Sequence, residues 1–208
     1  MEPTEFWENS HTKRRIHNLL SVSGLAEQLV PIKARVASEQ EVTRFHTQRY
    51  HDQIQHDSLR NGGDGGELAP FSRGGYGIAC LSAGGVLAAT EAVLEGKVEN
   101  AYCLVRPPGH HAEADRGRGF CIFNNVAIAA LHARTLGHAA QRIAIVDYGT
   151  SNHCFIVEIN KLTHSLNVLQ MSTTATALKR LFGTIPTVCL FLCTRIATTL
   201  KTVVCTRK

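Results

Sequence analysis

At 208 residues and 44% apolar content, the chain is long enough for one domain with a core of its own. Its first eight residues show no basic stretch followed by an apolar run, and nowhere do eighteen apolar residues follow one another; neither a secretory signal nor a membrane span is expected, and a nuclear or cytoplasmic protein is. The formal charge of +5 sits at one end: residues 1–148 carry 15 Lys and Arg against 16 Asp and Glu, whereas residues 149–208 carry 7 against 1, and with no basic helix interleaved with aromatics, DNA or RNA is not an expected partner.

Ser10 caps an expected helix running to about Ser23, with Ile16, Leu19 and Leu20 on one face and Gly24 as its stop. Ile32, Ala34 and Val36 alternate as in a short strand, Ser38 with Glu41 forms a capping-box signature, and Thr47 opens a helix carrying Tyr50 and Ile54. The stretch from Asn61 to Gly75, rich in glycine and polar residues, reads as a long surface loop, either a plain flexible connection or a rim around a substrate. A helix is expected from about Tyr76 to Glu95, where Gly84 and Gly85 permit close packing and Gly96 marks the end.

An apolar strand (Ala101 to Val105), a polar loop, a helix near Asn125 to Thr135 and a second apolar strand (Arg142 to Asp147) then follow one another as a βαβ unit of a parallel sheet. In open α/β sheets function collects at the carboxyl ends of the strands. Here those ends are His110-His111 and Asp147, two imidazoles and a carboxylate expected at one edge. Of the seven cysteines, Cys80, Cys103 and Cys121 lie in apolar or glycine-rich contexts and Cys154, Cys189, Cys193 and Cys205 follow later; no disulfide framework is expected, and the Cys189–Cys193 spacing has no matching His or Cys pair to make a metal site.

A neutral imidazole hydrogen-bonded to a buried carboxylate is a good general base, because the carboxylate fixes the tautomer and stabilises the imidazolium formed on proton uptake. Adjacent histidines on a glycine-preceded loop supply two such groups. Taken alone, a pair of loop histidines is more often solvated or structural than catalytic.

Three linked motifs, Arg106-Pro-Pro-Gly-His-His-Ala112, Gly119-Phe-Cys-Ile-Phe-Asn-Asn125 and Ile143-Ala-Ile-Val-Asp147, resemble in order and spacing the histone deacetylase and acetylpolyamine amidohydrolase superfamily, nearest its class II branch. The resemblance extends more loosely back through Trp7-Glu-Asn, Lys13 to Leu20 and Phe45-His46-Thr47, covering nearly all of residues 7–148. It implies a three-layer α-β-α fold on a parallel sheet, of the arginase/deacetylase kind, incomplete in its C-terminal half. It also implies that His110 and His111 are the active-site pair, His111 being the stronger candidate for general base and acid. Gly119 would accept a hydrogen bond from the substrate amide, Phe120 would line the acyl-lysine tunnel, and Asp147 would stand behind the histidines and help hold a monovalent cation. For Phe120 and Cys121 plain core packing is the alternative.

In the family a zinc ion, bound by two aspartates and one histidine, polarises the amide carbonyl and acidifies a bound water toward a pKa of about 7, while a tyrosine steadies the oxyanion. Substrates implied are acetylated lysine, on histones or other proteins, or acetylpolyamines, and protein complexes are compatible with the reading. Two zinc ligands are expected within a few residues of Asp147. Instead the chain continues Tyr148-Gly-Thr-Ser-Asn-His-Cys154, and nothing through Lys208 resembles the family.

Such a break suggests an altered reading frame. Each amino acid nearly fixes the first two bases of its codon, so the neighbouring frame is partly readable. From Gln170-Met171-Ser172 onward it permits Asp-Val-His-His-Gly-Asn-Gly-Thr-Gln, the missing metal-binding segment, and from Leu192 onward a second run resembling the family. Gly149 as GGT supplies a donor site, Gln170 as CAG an acceptor, and the stretch between them is not a multiple of three nucleotides. The expected organisation is therefore residues 1–148 as the N-terminal part of a histone deacetylase domain, 149–170 as retained intron and 171–208 as out-of-frame, poorly ordered exon. The chain as written is expected to bind no zinc stably and to be inactive; the alternative is a non-catalytic binding or regulatory protein that keeps the deacetylase surface.

Overall fold

Asn9, rather than Ser10, opens the first helix: its side chain accepts from the His11 N–H, and α1 runs Ser10–Val22 with Gly24 (φ +72°) just beyond it. The computed structural model describes residues 9–136, positions 143 and 145, and the segments 169–170 and 202–206. After a single 3-10 turn (Ala26–Gln28) come β1 (Leu29–Lys33), α2 (Glu39–Val42) and α3 (Gln48–Leu59). Next are three short strands, β2 (Gly62–Asp64), β3 (Gly66–Glu67) and β4 (Pro70–Ser72), then α4 (Gly75–Leu94), β5 (Ala101–Leu104), β6 (Gly117–Arg118) and α5 (Asn125–Thr135). Two further strands, β7 (Leu169–Gln170) and β8 (Thr202–Thr206), complete the described elements.

Local chemistry accounts for the helix starts. Ser38 accepts from the Glu41 N–H while the Glu41 carboxylate accepts from the Ser38 N–H, closing the capping box, and Thr47 caps α3 through the Tyr50 N–H. The strand expected over Ile32 to Val36 lies instead at Leu29–Lys33, because pairing with a neighbouring strand decides its limits. The expected loop Asn61 to Gly75 is folded back on itself: β2 pairs antiparallel with β4, and β3 pairs parallel with β6.

α4 is the axis of the fold. It is long and apolar enough to cross a membrane, yet it is buried nearly all round, packing on α3, α5, β1 and β5. A helix that is apolar on every side belongs in a protein interior. Gly84 explains part of the fit: a Cβ there would stand 1.9 Å from the Arg35 carbonyl oxygen, so only glycine lets the chain after β1 lie against the helix. Phe123, Ile54, Leu87, Val86 and Ile128 fill the centre of the core.

The main sheet has the order β1-β8-β5-β7. β5 and β7 are parallel, and β1 has the same sense as β5 because β8 runs antiparallel to both. The fold is α/β, with helices on a parallel body sheet into which one antiparallel strand is inserted. Most of residues 149–208, expected to be poorly ordered, and the second strand of the βαβ unit, Arg142 to Asp147 apart from positions 143 and 145, lie outside the described residues.

Candidate active site

β5 delivers the chain to the site. From Leu104 it runs through Val105 and Arg106, across a cis Arg106–Pro107 peptide, to Gly109 and the two histidines. A side chain at Gly109 would meet the Asn125 backbone N at 2.4 Å and the Phe123 O at 2.8 Å, so glycine is what lets the loop pass over the start of α5.

Two asparagines secure the loop. Asn124 caps α5 by accepting from the Ala127 N–H and donates from Nδ2 to the Ala112 carbonyl at 2.9 Å. Asn125 Nδ2 donates to Ser82 Oγ and to the Pro107 carbonyl, and the Ser82 hydroxyl donates to that carbonyl at 2.7 Å. Both asparagines are buried, where an unsatisfied amide is costly. In the sequence both stand at the end of the Gly119 to Asn125 motif, just where α5 begins, with no sign of the contacts they make.

His46, also buried, supports the same region. Its Nε2 accepts from the Asn124 N–H at 2.8 Å, which leaves Nδ1 as donor toward the Ala114 carbonyl at 3.3 Å. Burial pushes its pKa down to about 3, so the ring is neutral and its tautomer is fixed by these two partners. His46 thus supports the loop that carries His110 and His111.

His110 and His111 are adjacent, half-buried imidazoles with ring centroids 3.9 Å apart. Gly119 (φ +50°) lies directly against His111, where a Cβ would stand 2.7 Å from His111 Cδ2. The structure therefore brings together three of the residues singled out from the sequence, His110, His111 and Gly119. Cys121 is buried and links them: its Sγ accepts from the His111 N–H and donates to the Gly119 carbonyl, which keeps a second lone pair. Phe120 follows at φ +66° and is half-buried, its N–H donating to the Leu68 carbonyl at 2.6 Å, while the Gly119 N–H donates to Glu67 O at 2.8 Å. The folded-back segment from Gly62 to Ser72 is thus the element that positions Gly119 and Phe120. Asp147 lies outside the described residues.

Two clusters have ligand atoms close enough to hold a metal ion, Glu39–His51–Asp52 and Glu41–Glu91–His132. Neither includes the histidine pair. In the second, Arg35 bridges Glu41 and Glu91 at 2.6 Å each and Arg44 meets His132 Nδ1 at 2.8 Å, so cations already occupy that place. Among the described residues, none provides a zinc ligand set beside His110 and His111. An open cavity of about 620 Å³ is lined by Lys13, Arg14, His17, Ala34, Val105 and Arg106 among others, and the histidine pair is not part of its lining.

An α/β fold with a histidine pair at the carboxyl end of a sheet strand defines the class of the site. The model of the histone deacetylase domain matches residues 7–150, and the chain belongs to that family. It is 43% identical over 141 residues to a histone deacetylase-like amidohydrolase of Pseudomonas aeruginosa, covering 68% of this chain and 37% of that protein. It is 37% identical over 131 residues to the polyamine deacetylase HDAC10 of Homo sapiens, covering 60% of this chain and 19% of that one. Among solved structures the HDA15 HD domain aligns with a TM-score of 0.64 at 28% identity, over 82% of this chain and 49% of that chain. The chain thus spans well under half the length of these curated relatives. The family is in general zinc-dependent.

Proposed function

We propose that residues 7–148 are the proton-transfer half of a zinc-dependent amidohydrolase that removes acetyl or related acyl groups from lysine side chains or polyamines, and that the chain as written is inactive. The observation that carries the reading is the His110–His111 pair, its rings 3.9 Å apart and backed by Gly119, at the end of β5. A neutral imidazole here takes a proton from attacking water and returns it to the departing amine; the Gly119 carbonyl accepts from the substrate amide, and Phe120 flanks the acyl chain. By its resemblance to the family, Asp147 would supply the carboxylate that fixes the imidazole tautomer. The names of the relatives, a histone deacetylase-like amidohydrolase and a polyamine deacetylase, support both substrate classes.

Inactivity rests on the sequence that follows Tyr148. The metal-binding segment of the family is absent there, and the match to the family ends at residue 150, which supports reading 149–170 as retained intron and 171–208 as out-of-frame exon. Transcript sequence across codons 148–171 tests the origin of the segment: a Gly149 codon other than GGT or a Gln170 codon of CAA rules out this splice arrangement. Metal analysis with amidase assays on acetyl-lysine peptide and acetylpolyamine tests the chemistry. Substoichiometric zinc and no turnover are expected, and stoichiometric zinc with turnover would overturn the reading. A chain in which Asp-Val-His-His-Gly follows Tyr148 regains two of the three zinc ligands of the family and is expected to bind zinc more tightly than the chain as written.

A further inference from the structure

His51 is fully buried, yet one of its ring nitrogens meets an exposed carboxylate. The ring stacks on Phe123, with centroids 6.5 Å and planes 17° apart, and its Nε2 lies 2.8 Å from the Tyr76 hydroxyl, so the core fixes its orientation. Nδ1 is thereby aimed at Asp52 Oδ1, 2.9 Å away, where α3 approaches the start of α2. Gln48, one helical turn before Asp52, sets its amide between that carboxylate and Glu39 of α2, 2.8 Å from an oxygen of each. One imidazole nitrogen and two carboxylates, their ligand atoms all within 4.8 Å of one another, thus converge from two helices. The Tyr76 hydroxyl is also hydrogen-bonded to Cys80. When it donates to that sulfur it accepts from His51 Nε2–H, and the neutral ring then turns a lone pair toward the negative Asp52 oxygen. Two acceptors 2.9 Å apart repel unless a cation binds both.

We propose that Glu39, His51 and Asp52, with the Gln48 amide oxygen as fourth donor, form a site for a divalent transition-metal ion of the zinc type that joins α2 to α3. Imidazole combined with carboxylates suits such an ion. In a tetrahedral site with ligands at about 2.0–2.2 Å, neighbouring donors stand about 3.3–3.6 Å apart, which small side-chain shifts reach from the present 2.8 and 2.9 Å spacings. Turning the Gln48 amide by half a rotation puts its carbonyl oxygen where its NH2 now lies. A metal-binding imidazole generally donates its other N–H to an oxygen, and the Tyr76 hydroxyl holds that place behind Nε2. Without metal, Tyr76 donates to Nε2 and Nδ1–H donates to Asp52 instead. Glu39, Gln48 and Asp52 are exposed, so the ion exchanges with solvent and is read by titration rather than by the metal content of the isolated protein. Once bound, it staples the turn between α2 and α3 that carries His46, the support of the Asn124 N–H.

The test is a Zn²⁺ titration of the ¹⁵N-labelled full chain, read at the ring nitrogens of His51 by NMR. A saturable shift of His51 Nδ1 is expected in the parent. Glu39→Gln and Asp52→Asn, both at exposed positions and close in shape to the residues they replace, should each weaken that response at least about 10-fold, and Tyr76→Phe, which removes the oxygen behind Nε2, about 10–100-fold. Using two surface variants keeps the test independent of the packing around His51 itself. His51 nitrogens that do not move in the parent, a response of equal strength in the parent and in both carboxylate variants, or a shift at Nε2 in place of Nδ1 would each overturn the proposal. Because the signal belongs to His51, zinc taken up by cysteines or by His110 and His111 does not enter it, and the outcome does not depend on deacetylase activity.

Discussion

Gly119 lies so close to His111 that a Cβ on it would stand 2.7 Å from His111 Cδ2, closer than such atoms approach in proteins. The backbone of one motif thus forms the wall against which the histidine of another rests. Gly119 also has φ +50°, a conformation that costs an L-residue about 1–2 kcal/mol. Gly119→Ala is expected to destabilise the chain by at least that amount and to displace the His111 ring. Imidazole NMR cross-peaks of His111 should move in Gly119→Ala, and unchanged peaks would show that the wall does not position the ring.

Glu41 links acid sensitivity to a defined pair. The Arg35 guanidinium holds its carboxyl down to about 2, against an ordinary value of 4.5 in the unfolded chain. The folded pKa is lowered, so the contribution is complete above about pH 4.5 and is lost as pH falls toward 2. With Arg35 half-exposed and therefore screened, it is on the order of 2 kcal/mol. Glu41→Gln should be destabilised by that amount at pH 7 and by almost nothing at pH 2. Equal losses at both pH values in denaturant titrations would assign the effect to packing instead.

His46 acts in a different window. Burial lowers its folded pKa to about 3, from an ordinary 6.5, so the folded state resists a proton that the unfolded state accepts. Stability from this group is intact above pH 6.5 and falls by about 1.4 kcal/mol per pH unit below it until about pH 3. His46→Ala removes that slope and leaves the Asn124 N–H and the Ala114 carbonyl without their ring partner, costing about 2–4 kcal/mol at pH 7. Unfolding free energies at pH 7, 6, 5 and 4 should therefore converge for variant and parent as the pH falls.

Two glycines of α4 are expected to respond in opposite directions. Gly84→Ala drives a Cβ to 1.9 Å from the Arg35 carbonyl oxygen and should cost about 3 kcal/mol. Gly77→Ala meets nothing within 4 Å in the same helix and should stabilise by about 0.5–1 kcal/mol through helix propensity. Thermal melts of the two variants would separate the close approach from helix propensity; a shared direction would refute the distinction.

The sequence by itself determined the elements whose limits are written within one helical turn: the Ser38–Glu41 capping box, the Thr47 cap, the extent of α4 and the start of α5 after Asn124. It also determined the family, through three motifs of fixed spacing. It placed β1 three residues late and read Asn61 to Gly75 as a loop, because the partners of those strands lie elsewhere in the chain: Thr202 to Thr206 for β1, Gly117 and Arg118 for β3. Only the tertiary structure decided that Gly119 backs His111, that the fixed tautomer of His46 holds Asn124, and that β8 pairs between β1 and β5. Caps and periodicity depend on neighbours a few positions away. These relationships depend on which surfaces meet when the core around α4 closes, and residues such as His46 and Asn124, 78 positions apart, are joined only then.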